Sequence, residues 1–197
     1  MKRPTSIKRV VVLCGGFSKE REVSLVSGAG ADRALRTKGL EVTKIDVPRD
    51  MASLVAQITA AKPDVVFNAL HGRFGEDGCI QGLLDMMALP YTNSGRLASA
   101  VAMDKPAAKR MFAAAGIPVA EEKLVTVADA ERGDVMERPY VLKPFNEGSS
   151  VGVKIVRKGD NHPPLDDLGL SKDDLIMAER FIPGREFTVA VMGGATG

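Results

Sequence analysis

Apolar runs of strand length alternate with stretches of helical periodicity over the first hundred residues. The first run, RVVVLC (9–14), is continuously apolar after Arg9 and ends at Gly15-Gly16, as a buried parallel strand does. The same pattern predicts further strands at 41–47 and 65–70, and a short strand and turn at 89–94. It predicts helices at 22–38, 51–62 and 79–88. The apolar side of the first helix is predicted to consist of Val23, Val26, Ala34 and Leu35.

Repeated strand–helix units predict a Rossmann-like α/β domain, with a parallel sheet, right-handed crossovers and helices on both faces. Ligands bind to such sheets at the carboxyl ends of the strands. Two candidate loops follow strands there, CGGFSKERE (14–22) after the first strand and HGRFGEDG (71–78) after the third. We therefore expect both loops to open onto the same crevice.

The pattern changes near residue 96. Two short helices are predicted on either side of Lys105-Pro106, because Pro fits the first turn of a new helix, and Gly116 ends the second. The remainder is strand-rich, which predicts an α+β domain with a mainly antiparallel sheet. Its predicted strands are VAEEKLVTV (119–127), PYVLKPF (139–145), VGVKIVRK (151–158), LIMAERFI (175–182) and EFTVAVMG (186–193). A polar, Pro-rich segment at 159–174 is predicted to be a surface connection.

Composition narrows the classes of function. The 197 residues are 45% apolar and 26% charged with a net charge of +2, which gives no case for nucleic acid or an anionic membrane as partner. No apolar run approaches the roughly 20 residues that span a bilayer, and the basic N-terminus leads into a strand rather than forming a signal peptide. Cys14 and Cys79 lack metal-like spacing and are predicted to be buried thiols of a reduced, cytoplasmic protein.

The segment best suited to phosphate chemistry is KPFNEGSSVGV (143–153). Lys143 can reach a phosphate as a point charge, and the Gly and Ser residues after it supply backbone and hydroxyl donors. Its strand–loop–strand setting differs from the GxxxxGK[ST] loop, in which the Lys follows the glycines and a helix begins. A plain hairpin turn stays open as the alternative.

The remaining candidate residues each have a structural alternative. His71 ends a buried strand at the ligand-binding edge, and Asp77 is the predicted N-cap of the helix at 79–88. Glu20 belongs either to a site or to a solvated helix start. Glu179 and Glu186 flank a Pro-Gly turn, where acids bind an adenine amino group and ribose hydroxyls or simply face solvent.

Taken in order, the motifs resemble those of the D-alanine–D-alanine ligase family of the ATP-grasp superfamily. They are GGFSKEREVS, HGRFGEDGCIQG, YTNSG, MDK, KPFNEGSSVGV and GREFTVA, and they cover essentially the whole chain. The resemblance implies a Rossmann-like N-terminal domain over 1–98 and an α+β ATP-grasp central domain over 99–183. Residues 184–197 would then be the first strand of a truncated C-terminal ATP-grasp domain.

The resemblance also implies a reaction and its residues. Two D-alanines would be joined through an acyl phosphate with ATP and Mg²⁺ (or Mn²⁺), for peptidoglycan synthesis, by a cytoplasmic homodimer. Glu20 would bind the ammonium group of the first D-alanine and Ser149 would tie the lid to Glu20, as the catalytic pair, with Ser24 and His71 also at the substrate. The implied ATP-binding residues are Lys105, Lys143, Ser150, Val151, Glu179, Arg180, Phe181, Ile182 and Glu186.

The family's metal ligands and second-alanine residues would lie beyond residue 197. No metal site is therefore expected in this chain, and the chain alone is not expected to catalyse ligation. Two alternatives stay open: another ATP-grasp ligase, such as one making D-alanyl-D-lactate, and a non-catalytic ATP-binding module. A nicotinamide-dependent dehydrogenase is disfavoured, because the first turn reads CGGFSKE rather than GxGxxG.

Overall fold

A computed structural model describes residues 6–146, 148, 152–162, 164–191 and 193. They divide into two compact units, one within Met1–Val119 and Pro144–Val151, the other within Ala120–Lys143 and Gly152–Gly197. The helices at 96–114 belong to the first unit. The domain boundaries at residues 98 and 183 stay predictions at the level of the family.

The first unit alternates strands and helices in the predicted order. Its elements are β1 (Arg9–Cys14), α1 (Arg21–Thr37), β2 (Glu41–Asp46), α2 (Met51–Ala61), β3 (Val65–Asn68), α3 (Cys79–Met86), α4 (Arg96–Met103) and α5 (Lys105–Ala114). Asp104 separates α4 from α5, and its carboxylate accepts a hydrogen bond from the Ala107 N–H at 2.8 Å. The predicted break before Pro106 is therefore confirmed.

The parallel sheet has the order β2-β1-β3, and helices cover both of its faces, as predicted. Alternate residues of β1 point to opposite faces because the side chains of a strand have a period of two. Val11 and Leu13 pack in one core with residues of α2 and α3. Val10 and Val12 pack in the other, against residues of α1. Burial on both faces explains why β1 is continuously apolar rather than alternating.

The side of α1 that meets the sheet is only partly the predicted one, since Leu35 packs against the core but Val23 and Val26 do not. Val23 and Val26 are 57% and 75% exposed, whereas Ser24 and Gly28 are buried. A Cβ atom built on Gly28 would lie 2.4 Å from the Cβ of Cys14, so the helix crosses β1 at a glycine. The closest approach of the two backbones, rather than the larger apolar side chains, therefore selects the buried side of α1.

Three local predictions around α3 need correction. The predicted strand at 89–94 is reduced to a single bridge between Tyr91 and Val66. The N-cap of α3 is Gly78, and Asp77 lies one residue earlier, where its carboxylate accepts from the N–H groups of Phe74 and Cys79 at 2.9 and 3.1 Å. Cys79 is exposed, because it begins the helix, whereas Cys14 is buried as predicted; both thiols are free.

The second unit contains an antiparallel sheet of the order β4-β7-β5-β6, which confirms the predicted sheet type. Its elements are β4 (Glu122–Thr126), α6 (Val127–Arg132), β5 (Tyr140–Lys143), β6 (Lys154–Val156), a 3-10 turn (Asp166–Leu168) and β7 (Leu175–Arg180). The predicted strand at 119–127 ends earlier because Thr126 and Asp129 form a capping box that begins α6. That helix was not predicted.

Two further predictions for the second unit are wrong. The segment at 159–174 is not only a surface connection, since Leu165 and Leu168 are buried in the core of the unit. The stretch 186–191, predicted as a strand, is not a strand in the part of the chain that the structure describes, and Phe187, Val189 and Val191 are 73–86% exposed. A strand is defined by hydrogen bonds to a neighbouring strand, and no described strand pairs with this stretch.

Candidate active site at the carboxyl edge of the parallel sheet

The loops that follow β1 and β3 lie side by side, as the sequence predicted. β1 pairs directly with β3, so the carboxyl ends of both strands meet at one edge of the sheet. The Ser18 hydroxyl, in the first loop, donates to the carbonyl oxygen of His71, in the second, at 2.8 Å. This hydrogen bond joins the two loops into a single structural unit.

The turn after β1 is fixed by an ion pair that sequence reasoning missed. Both Gly15 and Gly16 have positive φ, and a Cβ atom at Gly15 would lie 2.2 Å from the carboxylate of Asp46. The Arg21 guanidinium meets both oxygens of Asp46, at 2.7 and 2.6 Å, and also donates to the Gly16 carbonyl at 2.8 Å. The hydrogen bond from Arg21 holds the pKa of Asp46 below its ordinary value.

This ion pair sets the position of the residue just before α1, which is Glu20. The signal that could have revealed the pair was present in the sequence, because Asp46 ends the strand next to β1. The partner could not be read from the sequence, since two cations, Lys19 and Arg21, lie two residues apart at the start of α1.

The carboxylate of Glu20 is buried between glycines from two other motifs. Only 8% of the residue is exposed. A Cβ atom on Gly72 would lie 2.4 Å from Oε2 of Glu20, and one on Gly148 would lie 3.1 Å from the same oxygen. Gly72 also has a φ of +67°, which disfavours any side chain there. The structure thus brings together three segments that are remote in sequence, around one buried acid.

His71 directly precedes Gly72 in the chain, and its imidazole is held from two directions. Its Nε2 atom is 3.0 Å from the Ser27 hydroxyl on α1, and its Nδ1 atom is 3.8 Å from the carboxylate of Glu76. Glu76 also accepts a hydrogen bond from the Gly72 N–H at 2.7 Å. The imidazole, 31% exposed, lines a cavity of about 730 Å³ that also touches α1 and α4. The imidazole of His71 is therefore both accessible and held in one orientation.

Ser24 occupies a different environment from the other predicted substrate residues. It is fully buried, and its hydroxyl donates to the carbonyl oxygen of Ala69 at 2.7 Å. This hydrogen bond ties α1 to the end of the third strand. A direct contact between Ser24 and substrate stays a prediction, whereas its contribution to the position of α1 is visible.

Two phenylalanines join the loops on the other side of the sheet edge. The rings of Phe17 and Phe74 are 4.9 Å apart between centroids, and Arg49 and Arg73 lie over them at 4.6 and 5.0 Å. Phe74 has a φ of +68°, an uncommon conformation for a bulky residue. The tilted contact between the two rings and the hydrogen bond from the Phe74 N–H to Asp77 stabilise it there. The same rings line a cavity of about 410 Å³.

The second unit brings two of the predicted ATP-binding segments together on neighbouring strands. The ammonium group of Lys143, on β5, forms an ion pair with the carboxylate of Glu179, on β7. The two side chains are only 19% and 17% exposed. β7 continues into Phe181, whose N–H donates to the Pro139 carbonyl at 3.2 Å, and this bond holds the start of the 181–182 segment beside β5.

The other predicted nucleotide residues are placed as follows. Lys105 begins α5, and its backbone N–H donates to the carbonyl oxygen of Phe145 at 3.1 Å, which links α5 to the segment after β5. Ile182 is 64% exposed and Glu186 is also exposed. Ser149, Ser150 and Val151 lie outside the described residues, so their predicted roles stay predictions.

The described part of the chain offers no site for a metal ion. It contains no group of three or more His, Cys, Asp or Glu side chains placed to hold one. Nor does any helix in the described residues have both the length and the apolar composition needed to cross a bilayer.

Comparison with known proteins agrees with this geometry. Two family models match, the D-ala D-ala ligase N-terminus over residues 53–94 and the D-ala D-ala ligase C-terminus over residues 111–197. The chain is similar to curated proteins named D-alanine–D-alanine ligase from Rhodospirillum rubrum (59% identical over 191 residues) and Parvibaculum lavamentivorans (60% over 188). Each alignment covers 94% of this chain, and 62% and 60% of the relative.

Solved structures show the same relationship. A D-alanine–D-alanine ligase from Bacillus anthracis is 31% identical to this chain, with a TM-score of 0.72. The match covers 90% of this chain and 58% of the Bacillus anthracis chain. The structure of the Bacillus anthracis ligase complexed with ATP matches at 29% sequence identity, with a TM-score of 0.71. That match covers 90% of this chain and 60% of the ligase chain.

The parallel α/β sheet, followed by an antiparallel sheet that carries the Lys143 and Glu179 strands, has the architecture of ATP-grasp ligases. Within that class, the two family models and the high identity over nearly the whole chain fix the family. The chain belongs to the D-alanine–D-alanine ligase family. It spans about three fifths of the length of the curated relatives that it matches.

Proposed function

We propose that this chain carries the first-substrate loops and part of the nucleotide pocket of an ATP-dependent D-alanine–D-alanine ligase. The observation that carries the proposal is the Glu20 carboxylate, buried between Gly72 and Gly148. The two oxygens of a carboxylate offer about four acceptor sites, so Glu20 can bind a cationic ligand in addition to its partners within the protein. The ammonium group of a small amino acid is such a ligand, and a site walled by glycines admits it.

The reaction that this site serves proceeds in two steps. A carboxylate oxygen of the first D-alanine attacks the γ-phosphorus of ATP, so that an acyl phosphate forms and ADP leaves. The amine of the second D-alanine then attacks the acyl carbon, loses a proton, and displaces inorganic phosphate to form D-alanyl-D-alanine. Glu20 binds the ammonium group of the first D-alanine, and the accessible imidazole of His71 faces its carboxylate.

The nucleotide part of the proposal rests on the second unit and on α5. Lys105 and Lys143 neutralise the phosphate charge that develops during transfer. The 179–182 segment lines the adenine site, and Glu186 binds the ribose. Lys143 is paired with Glu179 in the structure. The ATP phosphates must therefore either displace Glu179 from Lys143 or bind Lys143 while the ion pair persists. Ser149, Ser150 and Val151 close over the reactants, since an acyl phosphate would hydrolyse in contact with water.

Magnesium or manganese, a homodimer, a cytoplasmic location and a role in peptidoglycan synthesis complete the proposal. The similarity to the D-alanine–D-alanine ligases supports them. The described residues do not supply a metal site. No step is therefore assigned to a metal held by this chain.

The test measures the release of phosphate from ATP, with D-alanine or with L-alanine as the amino acid. The protein assayed is the one expressed from the whole coding sequence. We expect release that depends on D-alanine. In the same assay, Glu20→Gln should raise the KM for the first D-alanine far more than the KM for ATP, because only the ammonium contact is lost. Lys143→Ala should weaken ATP binding and serves as the opposite control.

Several results would contradict the proposal. Release of phosphate without any dependence on D-alanine would exclude the ligase. Nucleotide binding with no turnover would favour a non-catalytic module. Glu20→Gln with equal effects on both substrates would exclude the ammonium contact.

A further inference from the structure

Two buried side-chain amides converge on one carbonyl in the loop that follows β3. The Gly75 carbonyl oxygen accepts from Nδ2 of Asn68 at 2.8 Å and from Nε2 of Gln81 at 2.9 Å. Asn68 is the last residue of β3 and Gln81 lies in the first turn of α3; they are 4% and 1% exposed. The middle of the loop is thereby fixed to a strand on one side and to a helix on the other.

The same loop provides a wall of the Glu20 site. The N–H groups of Gly75 and Glu76 donate to the Gly72 carbonyl at 3.2 and 2.9 Å, and the Gly72 N–H donates back to the Glu76 carboxylate at 2.7 Å. Residues 72–76 therefore form a closed turn in which the position of Gly75 determines the position of Gly72. Gly72 in turn lies against Oε2 of Glu20.

Gln81 has a feature that packing alone does not explain. Its Oε1 atom is buried, and no described group donates a hydrogen bond to it. A buried polar atom without a partner is unfavourable, and an apolar side chain of similar shape would avoid that cost. What the glutamine supplies, and an apolar residue could not, is the Nε2–H donor to the Gly75 carbonyl.

We propose that Gln81 is a positioning residue for the Glu20 site. By holding the Gly75 carbonyl, Gln81 keeps Gly72 against the Glu20 carboxylate and so maintains the pocket for the ammonium group of the first substrate. This inference rests on the proposed function for its effect on substrate, whereas the positioning of the loop can be tested without it.

The structural arm of the test compares Gln81→Met with Gln57→Met in the chain as it is. Methionine keeps the length of the side chain and removes both the donor and the partnerless oxygen. Gln57 is an exposed residue of α2 whose Nε2 donates to the Ser53 hydroxyl at 3.2 Å, and it serves as the matched control. We expect hydrogen exchange of the amides at 71–76 to become about tenfold faster in Gln81→Met. Exchange in Gln57→Met should match the original chain, and the midpoint of thermal unfolding should change little in both.

The functional arm measures the KM for D-alanine and the KM for ATP. It uses the protein expressed from the whole coding sequence. Gln81→Met should raise the KM for the first D-alanine about tenfold while the KM for ATP stays within about twofold, a separation that a general loss of structure would not give. Gln81→Leu serves as a second apolar variant.

Each outcome decides the inference. Unchanged exchange at 71–76 overturns it, and so does faster exchange without a selective change in the KM for D-alanine. Severe loss of thermal stability in both Gln81→Met and Gln81→Leu would assign Gln81 a purely structural role and also overturn it. If the original protein shows no dependence on D-alanine, the proposed function fails, and the exchange data alone decide whether Gln81 positions the loop.

Discussion

The contact between α1 and β1 depends on the absence of a side chain at residue 28. A Cβ atom there would lie 2.4 Å from the Cβ of Cys14 and 3.0 Å from its sulfur. Cys14 is fully buried in β1, and a Cβ position is fixed by the backbone, so the strand atom cannot swing aside. Gly28→Ala therefore forces α1 away from β1. Because Glu20 immediately precedes α1, this displacement would also reach the candidate site.

Two opposing terms set the magnitude. Alanine is favoured over glycine in a helix interior by roughly 0.5–1 kcal/mol. Overpacking a core typically costs about 1–3 kcal/mol. Carbon atoms prefer separations of about 3.5–4.0 Å, so an approach of 2.4 Å places this cost near the upper limit. We expect Gly28→Ala to lose about 2 kcal/mol of unfolding free energy.

Gly30→Ala is the matched control on the same helix. Apart from its chain neighbours and the backbone of its own helix, no atom of the described residues lies within 4 Å of a Cβ built there. Only the helix preference therefore remains, and the variant should gain roughly 0.5–1 kcal/mol. The chain has two tyrosines and no tryptophan. In a Tyr140→Phe background, Tyr91 fluorescence therefore reports urea unfolding of the first unit alone. If Gly28→Ala proved as stable as Gly30→Ala, the argument from the helix–strand approach would be refuted.

Two further predictions concern carboxylates. Asp46→Asn removes the ion pair with Arg21; because both side chains are 40–48% exposed, we expect a loss of only about 0.5–1 kcal/mol at low salt, smaller at high salt, in urea unfolding. A loss independent of salt would contradict this. Backbone hydrogen bonds from Arg9 and Lys8 lower the pKa of Asp64 from 3.8 to about 2. Its contribution to stability is therefore complete above pH 3.8 and is lost as the pH falls through about 2. Asp64→Asn should flatten this acid-side dependence, whereas the charge-matched, exposed Asp173→Asn should not; equal slopes in both variants would refute the assignment.

The arrangement of the first unit was predictable because its signals are local. A continuous apolar run predicts β1, and Pro106 after Lys105 predicts the break between α4 and α5. Neither signal depends on what the segments later contact. Where the local signal was weak or shared, prediction failed. The Thr126–Asp129 capping box that begins α6 was present in the sequence, but the apolar Val127 after it favoured continuation of the strand.

The candidate site shows the same division between sequence and structure. The meeting of the loops that carry Glu20 and His71 was predictable, because ligand-binding loops of a parallel sheet follow the carboxyl ends of its strands. The roles of the two side chains come from the family resemblance and stay predictions. Arg21, Asp46, Asn68 and Gln81 were not predicted, since their role is to hold other residues and depends on distances that only the folded chain defines.

By itself, the sequence determined the order of the main strands and helices in the first unit, which loops follow its strands, and to which family the ordered motifs belong. Tertiary structure decided which side of α1 meets the sheet, because the approach of two backbones at Gly28 outweighs the size of Val23 and Val26. It also decided that the carboxylate of Glu20 is enclosed by Gly72 and Gly148. Those contacts join residues that are far apart in the chain, and no local pattern records such a distance.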